Sequence, residues 1–180
     1  MKDQIEKIVK SYPKGSKFSR ELKSIIDTYK QGELCFQPKY QRGFVWDLKR
    51  KNTLIENILL NMPLGNLLIH YNENNYQYSI VDGIQRISTL CDFIGVLKEE
   101  DKKIKGYFPF TTLDGSYFNN KDLGEILHGK TYKDLEGILG KSFIRTVIMC
   151  EELVGEYTDD QMQLYFDAIN AGVPQIAVDL

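Results

Sequence analysis

Apolar positions along this chain recur in two rhythms. One has helical spacing of three to four residues; the other is short runs rich in β-branched residues and bounded by turn-formers. Residues 1–12 have the helical spacing, which Pro13-Lys14-Gly15 interrupts, so 1–17 reads as a short N-terminal helical extension. Ser19 is placed to cap a helix to Lys30, with Leu22, Ile25, Ile26 and Tyr29 on one face and Gly32 beyond its end. A short strand at 34–36 leads into the loop Gln37-Pro38-Lys39-Tyr40-Gln41-Arg42-Gly43-Phe44-Val45-Trp46. Asp47 then caps a helix to about Asn61 whose apolar stripe is Leu54, Ile55, Ile58 and Leu59, closed by Pro63.

Residues 67–71 and 76–81 form an expected antiparallel hairpin around Asn72-Glu73-Asn74-Asn75. A helix follows Gly83 and turns Ile87, Leu90, Cys91, Ile94 and Leu97 inward. Farther on, Thr111 to Phe118 resembles a second hairpin with an Asp114-Gly115 turn, and Thr131 caps a short helix. A strand is expected over 142–150, and Thr158 opens a last helix to Ile169, stopped by Asn170-Ala171-Gly172 and Pro174. Strands and helices mix without a regular βαβ rhythm, which predicts an α+β fold in one domain over 1–180.

Composition narrows the classes. A chain of 180 residues with 42% hydrophobic content can bury one well-packed core, and a net charge of −2 argues against indiscriminate coating of nucleic acid. A local basic face remains available in Lys39, Arg42, Lys49, Arg50 and Lys51, which fits either a solvated surface or contacts to a DNA backbone. Cys35, Cys91 and Cys150 are widely spaced, with no CxxC, so reduced thiols and a cytoplasmic setting are expected. No apolar run approaches the roughly 20 residues of a membrane helix, so no membrane partner is expected. His70 and His128 have no partners at zinc-ligand spacing, and there is no Walker-type GxxxxGK[ST].

Candidate chemistry concentrates at Asp82-Gly83-Ile84-Gln85-Arg86, where a strand meets a helix through a tight turn. Free N–H groups at a helix start, its dipole and the Arg86 guanidinium suit a phosphate or another anion, and Asp82 could hold a metal or a ribose. An ordinary strand–turn–helix junction explains the same spacing. A second candidate is the loop around Tyr40-Gln41-Arg42: Arg42 could hold phosphate while Tyr40 or Trp46 stacks a base, or the aromatics could simply pack on the core. Two Gln-Arg pairs at element ends suggest a shared cleft. The third, Asn170-Ala171-Gly172-Val173-Pro174, also reads as a routine helix end.

These motifs, in this order, resemble the N-terminal domain family of GmrSD-type restriction endonucleases, within the ParB/sulfiredoxin-like superfold. The family's extended stretch is matched by residues 38–46, and its Pro-containing turn by Asn61-Met62-Pro63-Leu64-Gly65. Its Asp-Gly-Gln-Gln-Arg motif is matched by residues 82–86 with Thr89-Leu90 behind, and its Ile-Asn-x-Gly-x-Pro end by residues 169–174. The similarity runs from about residue 18 to 180. It implies a small mixed sheet with flanking helices that binds, and with Mg²⁺ hydrolyses, a nucleoside triphosphate in DNA restriction, phage defence or its evasion.

On that resemblance Asp82, Gln85 and Arg86 are the catalytic candidates, with Asp82 also a metal ligand. Tyr40, Gln41, Arg42, Gly83, Arg86, Thr89 and Asn170 are the nucleotide-binding candidates. DNA or a separate nuclease subunit are the expected partners, with Lys39, Lys49, Arg50 and Lys51 as DNA contacts. Ile84 stands where the family has its first glutamine, which favours binding over hydrolysis. The same position carries the catalytic cysteine of sulfiredoxin-like proteins, so sulfinic-acid repair is disfavoured. Two histidines fall short of an HNH nuclease site. A DNA-binding module without turnover and a ParB-like nuclease are the alternative functions.

Overall fold

Alternation of side chains along five strands organises the computed structural model, which describes residues 2–11, 15–36 and 43–170. The strands are β1 (Gly15–Glu21), β2 (Leu34–Cys35), β3 (Leu67–Asn72), β4 (Gln77–Asp82) and β5 (Val147–Val154), and they form one mixed sheet in the order β1-β5-β3-β4-β2. β1 with β5 and β3 with β4 are antiparallel; β2 with β4 and β3 with β5 are parallel. The helices are α1 (Lys2–Ser11), α2 (Leu22–Lys30), α3 (Leu48–Leu59), α4 (Ile84–Ile94), α5 (Lys121–Leu127), α6 (Tyr132–Leu139) and α7 (Asp159–Asn170). The fold is α+β, as the mixed rhythm predicts. Among the described residues no helix is long and apolar enough to cross a membrane.

Because successive strand residues point to opposite faces, β3, β4 and β5 divide their apolar residues between two cores. Leu67, Ile69, Ile80, Ile148 and Cys150 join the main core with Ile25 of α2, Ile55 of α3 and Leu90 of α4. Leu68, Val81 and Leu153 face the other way and pack with Met162 of α7. Pairing slips between Leu68 and Ile69: Leu68 opposes Asp82 while Ile69 opposes Ile80. A bulge of this kind re-aims the side chain beyond it, here Asp82 at the strand's end.

Three local expectations change. Ser19 is not a helix cap; it lies in β1 opposite Met149 of β5, and α2 begins at Leu22 behind Glu21. The alternation of half-buried Phe18 and Arg20 with exposed Lys17 and Ser19 has a period of two, and pairing with a distant strand overrides the local cap signal. The segment around Asp114-Gly115 is not a hairpin. Asp114 caps a 3₁₀ turn over Gly115–Tyr117, while Thr112 pairs with distant Thr131. A Cβ on Gly115 would run into the Gly124 backbone, so this glycine serves a close approach to α5. Residues 143–145 form a 3₁₀ turn before β5.

The excursion between α4 and α6 is held by buried polar groups of α3 and α4. Lys51 is 3% exposed; its ammonium donates to the Phe108 carbonyl at 3.0 Å and lies 3.8 Å from the Phe108 ring centroid, and burial pulls its pKa down. Asn52 accepts from the Asp114 N–H, and Asp92 accepts from the Phe110 N–H and the Tyr107 hydroxyl. Burial, with the bond to Asp92, pushes the Tyr107 phenol up to about 12. The Glu56 carboxylate, 1% exposed, accepts from Asn119 N–H, Asn119 Nδ2 and Asn120 N–H at 2.7–3.0 Å.

Truncating Glu56 leaves those three donors without an acceptor. Glu56→Ala is expected to lose about 3 kcal/mol in urea unfolding, and Glu56→Gln, which keeps one acceptor oxygen, less than half of that. An alanine variant within about 0.5 kcal/mol of the parent would contradict this role.

Candidate functional site

The site is built on the β4–α4 junction. Gly83 starts α4 with φ +101°, a left-handed conformation that a side chain disfavours, and a Cβ there would run into Leu67 and stand 3.1 Å from Arg86 Nη2. Gly83, one of the nucleotide-binding candidates, is thus required by internal packing. One turn into α4, Arg86 folds back under the α3–β3 connection. Its Nη1 donates to the Leu64 carbonyl at 2.7 Å and its Nη2 donates to the Asn66 carbonyl at 2.7 Å and to Asp82 Oδ2 at 3.1 Å. Burial lowers its pKa and the neighbouring Asp82 charge opposes that; the guanidinium remains protonated in water. Gly65, at φ +74°, passes so close that a Cβ would lie 3.0 Å from Arg86 Nη1.

Gln85 reaches the opposite way. Its Nε2 donates to the Gly43 carbonyl at 2.7 Å, and its Oε1 accepts from the Val45 and Trp46 N–H groups at 3.1 and 3.4 Å. The chain then enters α3, where the Asp47 carboxylate accepts from the Arg50 N–H at 2.8 Å. Adjacent residues of one helix therefore hold the two connections that flank α3.

Two clefts open on either side of Arg86 and Leu64, which line both. The first, about 520 Å³, lies along the start of α3 and is lined by Trp46, Lys49, Arg50, Thr53 and Asn57. Its charge is mainly positive. The second, about 560 Å³, is lined by Asn66, Leu68, Asp82, Glu151 and Tyr165 and carries two carboxylates. There the Tyr165 hydroxyl donates to Glu151 at 3.2 Å, and burial followed by the Glu151 charge raises its pKa, which keeps it a donor.

The structure thus brings Arg86, Lys49 and Arg50 to one cleft and places Asp82 in its neighbour. Thr89 is buried in α4, and Lys51 is withdrawn from the basic face by its bond to Phe108. As a surface DNA contact Lys51 is corrected: its helical position turns it toward the 108–110 backbone and away from solvent. Ile84 is 5% exposed in the main core, so its apolar side chain takes nothing from either cleft wall. Lys39, Tyr40, Gln41 and Arg42 lie outside the described residues, as does the side chain of Asn170. Sequence reading missed Thr53 and Asn57, although Lys49, Thr53 and Asn57 recur every four residues as a polar stripe beside the apolar one. It also missed Glu151 and Tyr165, which no local spacing connects to Asp82.

Metal fit is limited. Among the described residues no group of three or more His, Cys, Asp or Glu side chains could hold an ion. His70 donates its Nε2–H to the Gly155 carbonyl, and His128 Nδ1 accepts from the Gly115 N–H. Asp82 offers one carboxylate, already paired with Arg86. Magnesium at nucleotide sites takes one or two carboxylates and completes its shell with phosphate oxygens and water, so Asp82 fits an ion that arrives with phosphate and does not fit a resident one.

The GmrSD restriction endonuclease N-terminal domain model matches residues 22–180, from the start of α2 onward and so through both clefts. No curated protein and no solved structure matches the chain. With the match spanning most of its length, the chain belongs to the GmrSD restriction endonuclease N-terminal domain family, which associates it with DNA restriction.

Proposed function

We propose that this chain is a nucleotide-binding domain that serves DNA restriction, and that the α3 cleft receives the phosphates. The supporting observation is that Lys49, Arg50 and Arg86 line one cleft beside the chain's single tryptophan. Phosphate oxygens are recognised by charge and by donor geometry, which an ammonium and a guanidinium supply at the rim. Arg86 adds fixed positive charge from the cleft wall while its Nη donors stay on Leu64 and Asn66. Trp46 offers a face on which a base can stack.

Hydrolysis belongs to the same reading. Phosphoryl transfer demands charge neutralisation and positioning more than covalent chemistry from the protein. Asp82, in the adjoining cleft across Arg86, would hold Mg²⁺ carried by a phosphate chain that extends past Arg86; the ion would neutralise charge on the phosphate oxygens. Cleavage of DNA is assigned to a separate nuclease domain or subunit. A small anion fits the cleft better than a DNA backbone does, because burial of Lys51 breaks up the basic run.

Titration calorimetry with Mg²⁺ and each of ATP, GTP, CTP and UTP tests this reading. At least one is expected to bind, and Lys49→Ala or Arg50→Ala to weaken it about tenfold, equivalent to about 1.4 kcal/mol. Binding by none of the four, or full affinity in both variants, would contradict the assignment. Arg86→Lys separates fold from binding, since a single ammonium cannot reproduce the fork onto two carbonyls. It is expected to lose about 2 kcal/mol of stability without nucleotide, and an unchanged melting curve would refute the clamp.

A further inference from the structure

We infer that Gln85 is a positioning residue that holds the two walls of the α3 cleft in register, and that it is not a group that touches the ligand or its attacking water. This rests on the nucleotide reading only for its effect on affinity; the clamp itself is a property of the protein alone.

Gln85 lines neither cleft, and its amide oxygen and one of its two amide hydrogens are committed inside the molecule. Both acceptor directions of Oε1 are taken by the Val45 and Trp46 N–H groups, and Nε2 donates to the Gly43 carbonyl. An oxygen so occupied has no lone pair left with which to orient a water. What the side chain does hold is informative: Trp46 lines the cleft, and the next residue, Asp47, caps the helix that presents Lys49 and Arg50. The neighbour of Gln85 on α4 is Arg86, which forms the facing wall. One amide therefore spans from the Arg86 wall to the Trp46 wall.

The opposite side of the same segment is fixed separately. The Phe44 N–H donates to the Lys105 carbonyl at 2.8 Å, and a Cβ on Gly106 would run into the Phe44 carbonyl. Residues 43–46 are thus a strap between Lys105–Gly106 and Gln85, and Gln85 supplies the tie nearest the cleft. Val45 is exposed, so its N–H can turn to water when the tie is cut. Loss of Gln85 should then loosen the strap without unfolding the domain, which distinguishes positioning from a purely structural role.

Gln85→Ala and Gln85→Glu test this, read first without nucleotide. In the alanine variant, hydrogen exchange at the Val45 and Trp46 amides is expected to rise at least about tenfold, and Trp46 emission to shift to longer wavelength, with little change in melting temperature. Gln85→Glu keeps acceptors for Val45 and Trp46 but sets a carboxylate against the Gly43 carbonyl, so a smaller rise in exchange is expected. With a Mg²⁺–NTP that the parent binds, the alanine variant should need about tenfold more nucleotide for half-saturation, the loss falling on KM and not on turnover at saturation. Unchanged exchange at Val45 and Trp46 overturns the clamp. So does a collapse of saturating turnover with unchanged half-saturation, because Gln85 would then act on the ligand directly. If the parent binds no nucleotide, the nucleotide reading fails, while the exchange data without nucleotide still decide the clamp.

Discussion

A guanidinium drawn largely out of water needs acceptors for its hydrogens, and in this protein that requirement shapes the end of the sheet where β4 meets α4. Arg86 meets most of that need by drawing the Leu64 and Asn66 carbonyls onto its Nη atoms and by keeping Asp82 alongside. The α3–β3 connection is consequently pinned to the first turn of α4. Gly65 and Gly83 are glycines because each passes within contact distance of that side chain in a left-handed conformation. The slip in pairing before Asp82 brings the carboxylate to the same point.

From that anchor the two clefts follow. Pinning the connection leaves one hollow on the α3 side, rimmed by Lys49 and Arg50, and one on the β5 side, walled by Asp82 and Glu151. The other face of α3 is committed to structure: Lys51, Asn52 and Glu56 hold the 108–120 backbone. One helix thus carries an apolar stripe, a buried polar stripe and a cleft-lining polar stripe. The cations divide by where helical spacing places them, so Lys49 and Arg50 face the cleft while Lys51 does not.

Much of this was legible before the structure. The Asp47 cap, the β3–β4 hairpin, α4 behind Gly83 and the Thr131 cap all depend on short-range spacing, and all are present. The motif at 82–86 forms the strand–turn–helix junction that its spacing predicts. The roles of its members were harder to read, because they depend on partners far along the chain: Gln85 binds backbone 39 to 42 residues away, and Arg86 binds carbonyls 20 and 22 residues away. Residues 15–21 were misread for the same reason, since β1 exists through its pairing with β5. A cation in a helix reads as solvated from sequence, and nothing local announces that Phe108 will take the Lys51 ammonium. Distance along the chain, more than chemistry, separated what could be read from what could not.

Phosphate is expected to bind between Lys49, Arg50 and Arg86 with the Arg86 bonds to Leu64 and Asn66 kept. A crystal structure with Mg²⁺ and a non-hydrolysable triphosphate analogue measures this directly. Phosphate oxygens are expected within about 3.2 Å of Lys49 Nζ or the Arg50 guanidinium. The base is expected against Trp46, with the Arg86 bonds to Leu64 and Asn66 intact. An analogue seated outside this cleft, or an Arg86 drawn off both carbonyls onto the phosphates, would contradict it.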